Sequence, residues 1–294
     1  MTAEDLFKNP NQKLRARELS YLAAFFRVEA WNVLYERGTG HWGGAASAME
    51  LTTSLYFNRM NIRSEDPSWE DRDRFILSKG HASINLYTVL AYRGFFSPEI
   101  LPSFRTLGGT LQGHPSMMTT PGVDLSTGAL GHGLSVGLGM ALAARHLKKN
   151  YWTYVLTGEG CLNEGSSWEA LMCAAKYRPE RFVLLIDYNK VQLDGYEEDI
   201  MPLEPLRDKL VSFGWNVPEQ SFDGNNTGDI LKSFVWLDNE GPWPKAIIYK
   251  TTKGMGVSFT ENDNHWHGAK IDDESFKKGL LELGSDLSRR EIWL

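Results

Sequence analysis

The sequence predicts an α/β fold in which a parallel β-sheet carries helices on both faces. Apolar runs of strand length recur along the chain, helical segments separate them, and Gly-rich turns follow several of the runs. Strands that alternate with helices pair in parallel, because the intervening helix carries the chain back across the sheet. With 294 residues, of which 42% are hydrophobic and 12% aromatic, the chain can bury a large core. We therefore expect a single domain over residues 1–294.

The individual elements follow from local patterns. We predict a helix over residues 18–37, because Leu22, Phe26 and Ala30 fall on one face at helical spacing. Short apolar runs predict the strands, and small or apolar residues at intervals of three or four predict the other helices. These elements are strands at 73–78, 153–157, 182–187 and 246–252, and helices at 45–57, 84–92, 133–146 and 166–176. Turn-rich composition predicts loops over 94–127 and 218–228.

Two segments carry more specific expectations. In the helix at 133–146, Gly133, Gly137 and Ala141 recur every four residues, and this stripe of small residues permits close helix contact. The last stretch, from about 272 to 294, has scattered charges and weak helical periodicity. We interpret it as a C-terminal arm that docks on a partner chain.

Composition excludes several classes of function. A net charge of -6 with no basic stripe argues against nucleic-acid binding. The two cysteines, Cys161 and Cys173, form no CxxC or metal-binding pattern, so reduced thiols are expected. No run approaches the eighteen or so apolar residues of a membrane span, and the N-terminus lacks the apolar region of a signal peptide. These features together predict a cytoplasmic protein.

The segment from Thr157 to Asn189 carries the strongest sign of a ligand site. A predicted strand runs into Gly158, Glu159 and Gly160, and a helix and a second buried strand then lead to Asn189. Glycines allow close approach of a ligand and tolerate positive φ, and a helix N-terminus offers N–H groups to an anion. Glu159 suits a diphosphate only if a divalent cation lies between them, and oxygen ligands suit Mg²⁺ or Ca²⁺. Asn189 would emerge at the same sheet edge, so the pattern predicts a metal-bound diphosphate site.

Other readings of this segment remain open at this point. A strand, a Gly-rich turn, a helix and Asp187 at the end of the next strand imitate a dinucleotide-binding unit. Against it, the glycines are spaced G-x-G-x-x-x-x-G and not G-x-G-x-x-G. A phosphate-binding loop would need a Gly-Lys-Ser/Thr ending, which is missing. A structural turn without any ligand is the third reading.

The wider sequence resembles the transketolase family. The segment is similar to the thiamine diphosphate motif, which opens with Gly-Asp-Gly and closes with Asn, here about thirty residues further on. Four more blocks match the family in the right order, each with an adjacent glycine and histidine, at 38–57, 73–87, 111–141 and 249–268. The resemblance spans nearly the whole chain, and it implies the thiamine diphosphate-binding fold, specifically the diphosphate-binding domain.

The length of the chain bears on which part of a transketolase it resembles. Full transketolase chains are more than twice as long as these 294 residues. The resemblance therefore implies the N-terminal subunit of a split enzyme, with a C-terminal subunit that supplies the pyrimidine-binding domain and the catalytic glutamate. The implied reaction moves a two-carbon ketol unit from a ketose to an aldose. Two copies of each chain are expected from the two-fold pairing of the family.

Several histidines gain roles from the resemblance. A lone histidine is more often structural, as expected for His146 beside charged neighbours on a helix. His41, His81 and His114 differ because each directly follows a glycine. The matching histidines of transketolases line the substrate channel, so we expect these three to bind and protonate the sugar, with His81 also touching the cofactor.

Three further positions each have two interpretations. His132 stands where the family commonly has glutamine, so it is either structural or alters the pocket. His267 matches a family position near the diphosphate, with His265 as the alternative. Glu164 could be an acid favoured by a helix N-terminus. The resemblance instead implies that it bonds the partner's catalytic glutamate across the interface of the two halves.

The remaining site residues are also carried over from the family. The metal would be held by Glu159, Asn189 and the backbone carbonyl of Val191, and the cofactor would contact Gly128, Leu130, Gly158, Gly160, Asn189 and His267. Glu159 departs from the usual aspartate, and the extra methylene moves the carboxylate by roughly 1.5 Å. Since Mg²⁺ demands near-ideal geometry, we expect metal binding to survive with a changed preference among Mg²⁺, Ca²⁺ and Mn²⁺.

Two alternatives to a split transketolase stay open on sequence alone. A related thiamine diphosphate enzyme half would pass the two-carbon unit to a lipoyl or carrier-protein thiol. A non-catalytic interaction protein would keep the fold and relax the metal site, for which Glu159 is the only support. The presence of Asn189, His41, His81 and His114 speaks against the second alternative.

Overall fold

The computed structural model describes residues 13–239 and 241–291. In this part of the chain the strands are β1 Arg74–Leu77, β2 Thr153–Gly158, β3 Phe182–Tyr188, β4 Phe222–Asp223 and β5 Lys245–Lys250. The α-helices are α1 Ala16–Arg37, α2 Gly43–Ser47, α3 Met49–Ser54, α4 Ser83–Arg93, α5 His132–His146, α6 Gly165–Tyr177, α7 Glu197–Ile200, α8 Leu206–Ser212, α9 Thr227–Asp238 and α10 Asp273–Glu291. None of these helices is long and apolar enough to span a bilayer.

The five strands form one sheet in the order β1-β2-β3-β5-β4, and every neighbouring pair is parallel. All seven residues of β3 are buried, as expected for a central strand covered on both sides. Gly158 of β2 lies opposite Asp187 of β3. The two strands therefore end at the same edge, and the predicted parallel sheet is confirmed.

Alternate strand residues belong to two separate cores. Leu185 and Tyr249 belong to one core, which also takes in residues of α1, α3, α4, α9 and α10. Leu184 and Ile248 belong to the other, which takes in residues of α5, α6 and α8. Because successive side chains of a strand point to opposite faces, the two cores lie on opposite sides of the sheet. The prediction of helices on both faces is confirmed.

Most predicted elements match the structure within a few residues, but one predicted helix is divided and several elements were not predicted. The helix predicted at 45–57 is divided at Ala48, whose ψ of 9° is not helical, and it continues beyond Ser54 as a π-helical turn. Helices α7 and α8 and strand β4 were not predicted, and neither was the longer helix α9. Asn226 caps its first turn by accepting from the Asp229 N–H at 3.1 Å, and Ile230 and Phe234 bury one face. That cap and spacing are visible in the sequence and indicate a helix.

The stripe of small residues on α5 faces the sheet and not another helix. A Cβ on Gly133 would lie 2.5 Å from the Ser78 hydroxyl, and a Cβ on Gly137 would lie 2.4 Å from Val155 Cγ2. Glycine at these positions thus lets α5 approach β1 and β2 closely.

We expect Gly137→Ala to lower the free energy of unfolding by about 1–3 kcal/mol, because the added methyl overpacks a rigid β-branched neighbour in the core. Gly139→Ala is the matched control on the same helix. A Cβ there meets no atom within 4 Å, so the gain in helix propensity should raise stability by about 0.5–1 kcal/mol. Urea denaturation of both variants checks this, and equal effects at the two positions would contradict the packing argument.

The C-terminal segment forms helix α10, which packs on α1 of the same chain. The Trp31 indole N–H donates to the Phe276 carbonyl at 3.2 Å, and Gly279 lies directly against the Trp31 ring. Tyr35 and Phe276 stack with ring centroids 3.8 Å apart. The predicted arm is thus part of this domain's own core over Asp273–Glu291. Its docking on a partner stays a prediction, and the last three residues of that prediction lie outside the described range.

Candidate active site

A cleft of about 190 Å³ opens at the carboxyl edge of the sheet, where β2 and β3 end. Eight predicted site residues line it, namely His81, Leu130, Gly158, Glu159, Gly160, Asn189, Val191 and His267. The other lining residues are Gly44, Lys79, Cys161, Gln192, Leu193 and Lys253. Residues from all five of the sequence segments that resemble the family therefore meet in one place.

The two glycines of the diphosphate motif do not adopt the expected conformation. Gly158 has a φ of −96°, and Gly160 is also outside the left-handed region. A Cβ on Gly160 would meet Gln192 at an ordinary 3.8 Å. Positive φ is therefore not the reason for glycine here. The missing Cβ atoms leave free space in front of the loop.

The predicted metal ligands meet in an arrangement that suits a hard cation. Glu159 is only 3% exposed, and its Oε2 has no hydrogen-bond partner. Asn189 Oδ1 accepts from the Val191 N–H at 3.1 Å, which orients the loop after β3. The donor set consists of carboxylate, amide and carbonyl oxygens, which Mg²⁺, Ca²⁺ and Mn²⁺ prefer. The residues present therefore fit a metal-bound diphosphate.

No three His, Cys, Asp or Glu side chains group as a metal site in the described residues. This agrees with the predicted ligand set, in which Glu159 is the one carboxylate and the other ligands are an amide and a backbone carbonyl. Phosphate oxygens and waters would have to complete the coordination shell, as Mg²⁺ usually requires.

Lys253 occupies a position that sequence reasoning did not assign. Its ammonium donates to the carbonyls of Val191 at 2.7 Å and Gln192 at 2.9 Å, and it lies 3.0 Å from Nδ1 of His267. The Val191 carbonyl is the one that the resemblance gives to the metal. The Lys253 ammonium therefore lies next to the expected position of the metal ion.

A second lysine forms a buried ion pair at the floor of the cleft. Lys79 contacts Asp187, and their side chains are 2% and 0% exposed. Ser47 donates to Asp187 Oδ2 at 2.6 Å, and Thr251 donates to the other oxygen of that carboxylate. The signal for both lysines was present in the sequence, since Lys79 and Lys253 each stand beside a glycine in a block that matches the family.

Burial shifts the pKa values of two ionisable side chains in the cleft. It raises the pKa of Glu159 to about 7, with Asp187 adding to the effect. It also lowers the pKa of Lys253 to about 8. Both shifts show that isolated charges are disfavoured here, and a bound cation and a bound diphosphate would each stabilise the ionised partner.

Three histidine rings form a cluster, and two of them, His81 and His267, line the cleft. The ring centroids of His41 and His81 are 5.4 Å apart, those of His41 and His267 are 5.4 Å apart, and His81 stacks on His267 at 4.9 Å. His265 is exposed and packs on Trp266 instead. Of the two candidates near the C-terminus, His267 is therefore the one that lines the cleft.

The clustered rings are neutral at physiological pH. Burial, together with nearby Arg105, His114 and Lys253, lowers the pKa of His41 to about 4. Burial and Lys253 lower the pKa of His267 to about 3, and the pKa of His81 is also well below its usual value because the ring is buried beside Lys79. Neutral rings can both donate and accept hydrogen bonds, as binding of sugar hydroxyls requires.

The other predicted residues lie near the cleft or on the surface. A Cβ on Gly128 would lie 3.3 Å from the His114 ring, so these two are neighbours, and neither lines the cleft. Glu164 is exposed and packs against Gly131, and His132 is exposed at the start of α5 with Nδ1 3.2 Å from the Leu130 carbonyl. The roles predicted for Glu164 and His114 stay predictions.

Arg105 contacts His41 and was not assigned from sequence. Its Nη1 donates to the Thr39 hydroxyl at 2.7 Å, and its Nη2 lies 3.4 Å from His41 Nδ1. The residue has a φ of 56°, which is uncommon outside glycine, and its Nε is buried without a partner. Strain of this kind is often found at functional sites. Arg105 therefore positions His41, leaving Nε2 as the nitrogen that carries the proton.

We expect Arg105→Met to raise the pKa of His41 above about 4, because a neighbouring positive charge disappears, while burial, the larger cause, still holds the pKa below its ordinary value. The pKa of His114 should rise too, since Arg105 also lowers it. His81 and His267 serve as internal controls, because burial and groups other than Arg105 lower their pKa values. Histidine-selective NMR titration measures all four, and a uniform shift would contradict a local effect of Arg105.

The comparison with known families decides between the readings left open by the sequence. The family described as the thiamine diphosphate binding domain of transketolase matches residues 20–290. This chain belongs to the transketolase family. The dinucleotide-binding and structural-turn readings of the segment at 157–189 are therefore set aside.

This transketolase-family chain matches some relatives over nearly their full length and others over less than half of it. It is 39% identical to a subunit of apulose-4-phosphate transketolase from Phocaeicola vulgatus, over 88% of this chain and 91% of that protein. It is 40% identical to the 6-deoxy-6-sulfo-D-fructose transketolase subunit SqwG of Clostridium sp., over 90% and 96% of the two chains. Human transketolase is 33% identical over 98% of this chain, which spans only 45% of the human protein.

Solved structures agree with this assignment. Transketolase from Campylobacter jejuni superimposes with a TM-score of 0.86 at 27% identity, covering 94% of this chain and 46% of its own. The enzyme from Leishmania mexicana gives a TM-score of 0.85 at 28% identity, covering 96% and 44%. The fold of this transketolase-family chain thus corresponds to less than half of a single-chain transketolase.

Proposed function

We propose that this chain is the N-terminal, diphosphate-binding subunit of a two-chain transketolase. The observation that carries the proposal is the buried, unpartnered Glu159 oxygen beside Asn189 and Val191, under a cluster of neutral histidines. Length supports it, because the chain spans 91% and 96% of two relatives named as subunits but only 45% of human transketolase. The reaction is transfer of a two-carbon ketol unit from a ketose to an aldose.

The cofactor and metal would be held by residues that line the cleft. Glu159, Asn189 and the Val191 carbonyl would bind Mg²⁺, Ca²⁺ or Mn²⁺, and Lys253, whose ammonium lies in the same cleft, would supply positive charge to a diphosphate. When bound, thiamine diphosphate supplies the electron sink on which two-carbon transfer depends. The protein's own task is to orient the cofactor and exclude water.

The histidines act on the sugar in this proposal. His41, His81 and His267 are neutral and close together, and His81 and His267 line the same cleft as the glycines of the diphosphate motif. The three rings can therefore bind hydroxyl groups and hold or release a proton at one ring nitrogen. His114 lies beside Gly128 and outside the cleft lining, and we propose that it contacts the sugar. Sugar phosphates are the proposed substrates, because one relative is named for apulose 4-phosphate, although the other is named for the sulfosugar 6-deoxy-6-sulfo-D-fructose.

A partner would complete the site. The exposed side chains of Leu193 and Tyr196, next to the cleft, are 58% and 52% accessible. Together with exposed Glu164, they offer a surface that a C-terminal subunit with the pyrimidine-binding domain and the catalytic glutamate would cover. We propose two copies of each chain, in the cytoplasm.

Calorimetry of thiamine diphosphate with Mg²⁺ tests the proposal, first on this chain alone and then on its mixture with the C-terminal subunit. Binding is expected only in the mixture, followed by ketol transfer between sugar phosphates. His267→Ala should slow the transfer at least about tenfold, whereas His265→Ala, on an exposed neighbour, should not. Failure of the mixture to bind the cofactor would refute the proposed function.

A further inference from the structure

A second pocket lies at the opposite edge of the sheet from the cleft. It is lined by residues 13, 56–63, 65 and 93, and its volume is about 490 Å³. Asn61 pairs with Asp73 immediately before β1, and Arg59 Nε donates to the Tyr154 hydroxyl near the start of β2 at 2.9 Å. Strand β2 has six residues, which span roughly 17–20 Å at about 3.3 Å each. The pocket is therefore separate from the proposed active site.

The pocket is strongly positive in a protein of net charge -6. Four cationic side chains line it, Lys13, Arg59, Arg63 and Arg93, against one carboxylate, Glu65. Arg59 has a further acidic partner outside the lining, Asp238, at 2.6 Å. Lining charges of one sign repel one another unless an anion is bound among them.

Two of these guanidinium groups have unmet hydrogen-bonding capacity. Arg93 is 5% exposed, its Nε donates to the Tyr56 carbonyl at 2.9 Å, and its Nη1 is buried without a partner. Arg59 Nη2 is also buried without a partner. Burial lowers the pKa of the Arg93 guanidinium, and the nearby Glu65 carboxylate partly opposes that effect. Unsatisfied buried donors are rare in folded proteins and require an explanation.

The two arginines are also held in place. The Arg93 guanidinium lies over the Phe57 ring at 5.7 Å, and that of Arg59 lies over the Trp152 ring at 4.5 Å. Pre-organised guanidinium groups match the geometry of phosphate oxygens and lose little side-chain entropy on binding. A single water would satisfy one N–H but would not offset the excess positive charge.

We propose that this pocket binds the phosphate group of a small phosphorylated metabolite, with Arg93 and Arg59 as the principal donors and Arg63 and Lys13 at the rim. The site is distinct from the diphosphate cleft, and the inference does not depend on the proposed function.

Titration of the full chain, labelled with ¹⁵N in its arginine side chains, against inorganic phosphate at constant ionic strength tests the site. Saturable shifts of the Arg93 and Arg59 signals are expected, with no change for Arg105 and none when chloride replaces phosphate. Lys253→Met, which removes a charge from the other cleft, should leave these shifts unchanged. Shifts that are absent, or equal with chloride, would overturn the proposal.

Two variants make the test quantitative. Arg93→Met should weaken phosphate binding about tenfold or more, since a charge-assisted hydrogen bond is lost. Because Arg93 is buried and its removal can disturb folding, the exposed Arg63→Met is the second variant, with a loss of about threefold expected from its rim charge. Lys277→Met on the exposed face of α10 is the matched control. Unchanged affinity in Arg63→Met, or equal losses in Arg63→Met and Lys277→Met, would overturn the assignment.

Discussion

Glu159→Gln is expected to weaken metal-dependent binding of thiamine diphosphate to the assembled enzyme by at least about a hundredfold. Among the described residues that line the cleft, Glu159 is the only carboxylate, and two lysines face it. Without its charge the metal keeps only neutral ligands from this chain, Asn189 and the Val191 carbonyl. Calorimetry with thiamine diphosphate and Mg²⁺ measures the loss.

The stability of the variant separates a binding defect from a folding defect. Glu159 is buried with one oxygen unpartnered, and burial raises its pKa to about 7. The neutral, isosteric glutamine should therefore leave the thermal midpoint of the metal-free chain unchanged or higher. A variant that melts earlier and also binds poorly would point to misfolding instead.

Glu159→Asp is the matched control, since it restores the acid that is usual in the family. The side chain shortens by one methylene, roughly 1.5 Å, which alters the position of the carboxylate relative to the ion. We expect it to bind the cofactor and to shift the preference towards Mg²⁺ relative to Ca²⁺ and Mn²⁺. Equal cofactor affinity in Glu159→Gln and the wild type would contradict a metal-binding role.

Arg27→Met is expected to lower the free energy of unfolding by about 3–5 kcal/mol, because it leaves the Glu50 carboxylate buried without its partner. The Arg27 and Glu50 side chains are 1% and 0% exposed. Arg27 Nη1 donates to Glu50 Oε1 at 2.5 Å, and Nη2 donates to the Ala46 carbonyl at 2.9 Å. Asn225 completes the network by donating to Glu50 Oε2 at 3.2 Å.

Two further variants test whether the loss of stability in Arg27→Met comes from the buried charge of Glu50. Arg27→Met combined with Glu50→Leu removes both charges, and it should recover part of the stability, since apolar replacement of a whole buried pair is often nearly neutral. Lys232→Met breaks the exposed pair with Asp229, whose side chains are 74% and 27% accessible. That change should lower stability by no more than about 1 kcal/mol. Urea denaturation compares all three, and an equal loss in Arg27→Met and Lys232→Met would contradict the argument from burial.

Prediction from sequence was most successful where the signal is local. Strands β2 and β3 are continuous apolar runs, and the motif residues Glu159 and Asn189 stand directly after them. Parallel pairing then brings the two to one edge without further information. Helix α9 was missed although its signals are local too. Its cap at Asn226 and the spacing of its buried positions can both be seen in the sequence, and neither was used.

The sequence by itself determined the parallel α/β architecture, the carboxyl-edge position of Glu159 and Asn189, and the resemblance to transketolases. Only the tertiary structure decided that His267 and not His265 faces the cleft, and that Lys253 reaches the Val191 carbonyl 62 residues before it. It also decided that Arg105 contacts His41 across 64 residues. The reason is physical, since periodicity and turn chemistry depend on near neighbours in the chain. Contacts between distant side chains depend on how whole helices and loops pack, and no local pattern records that packing.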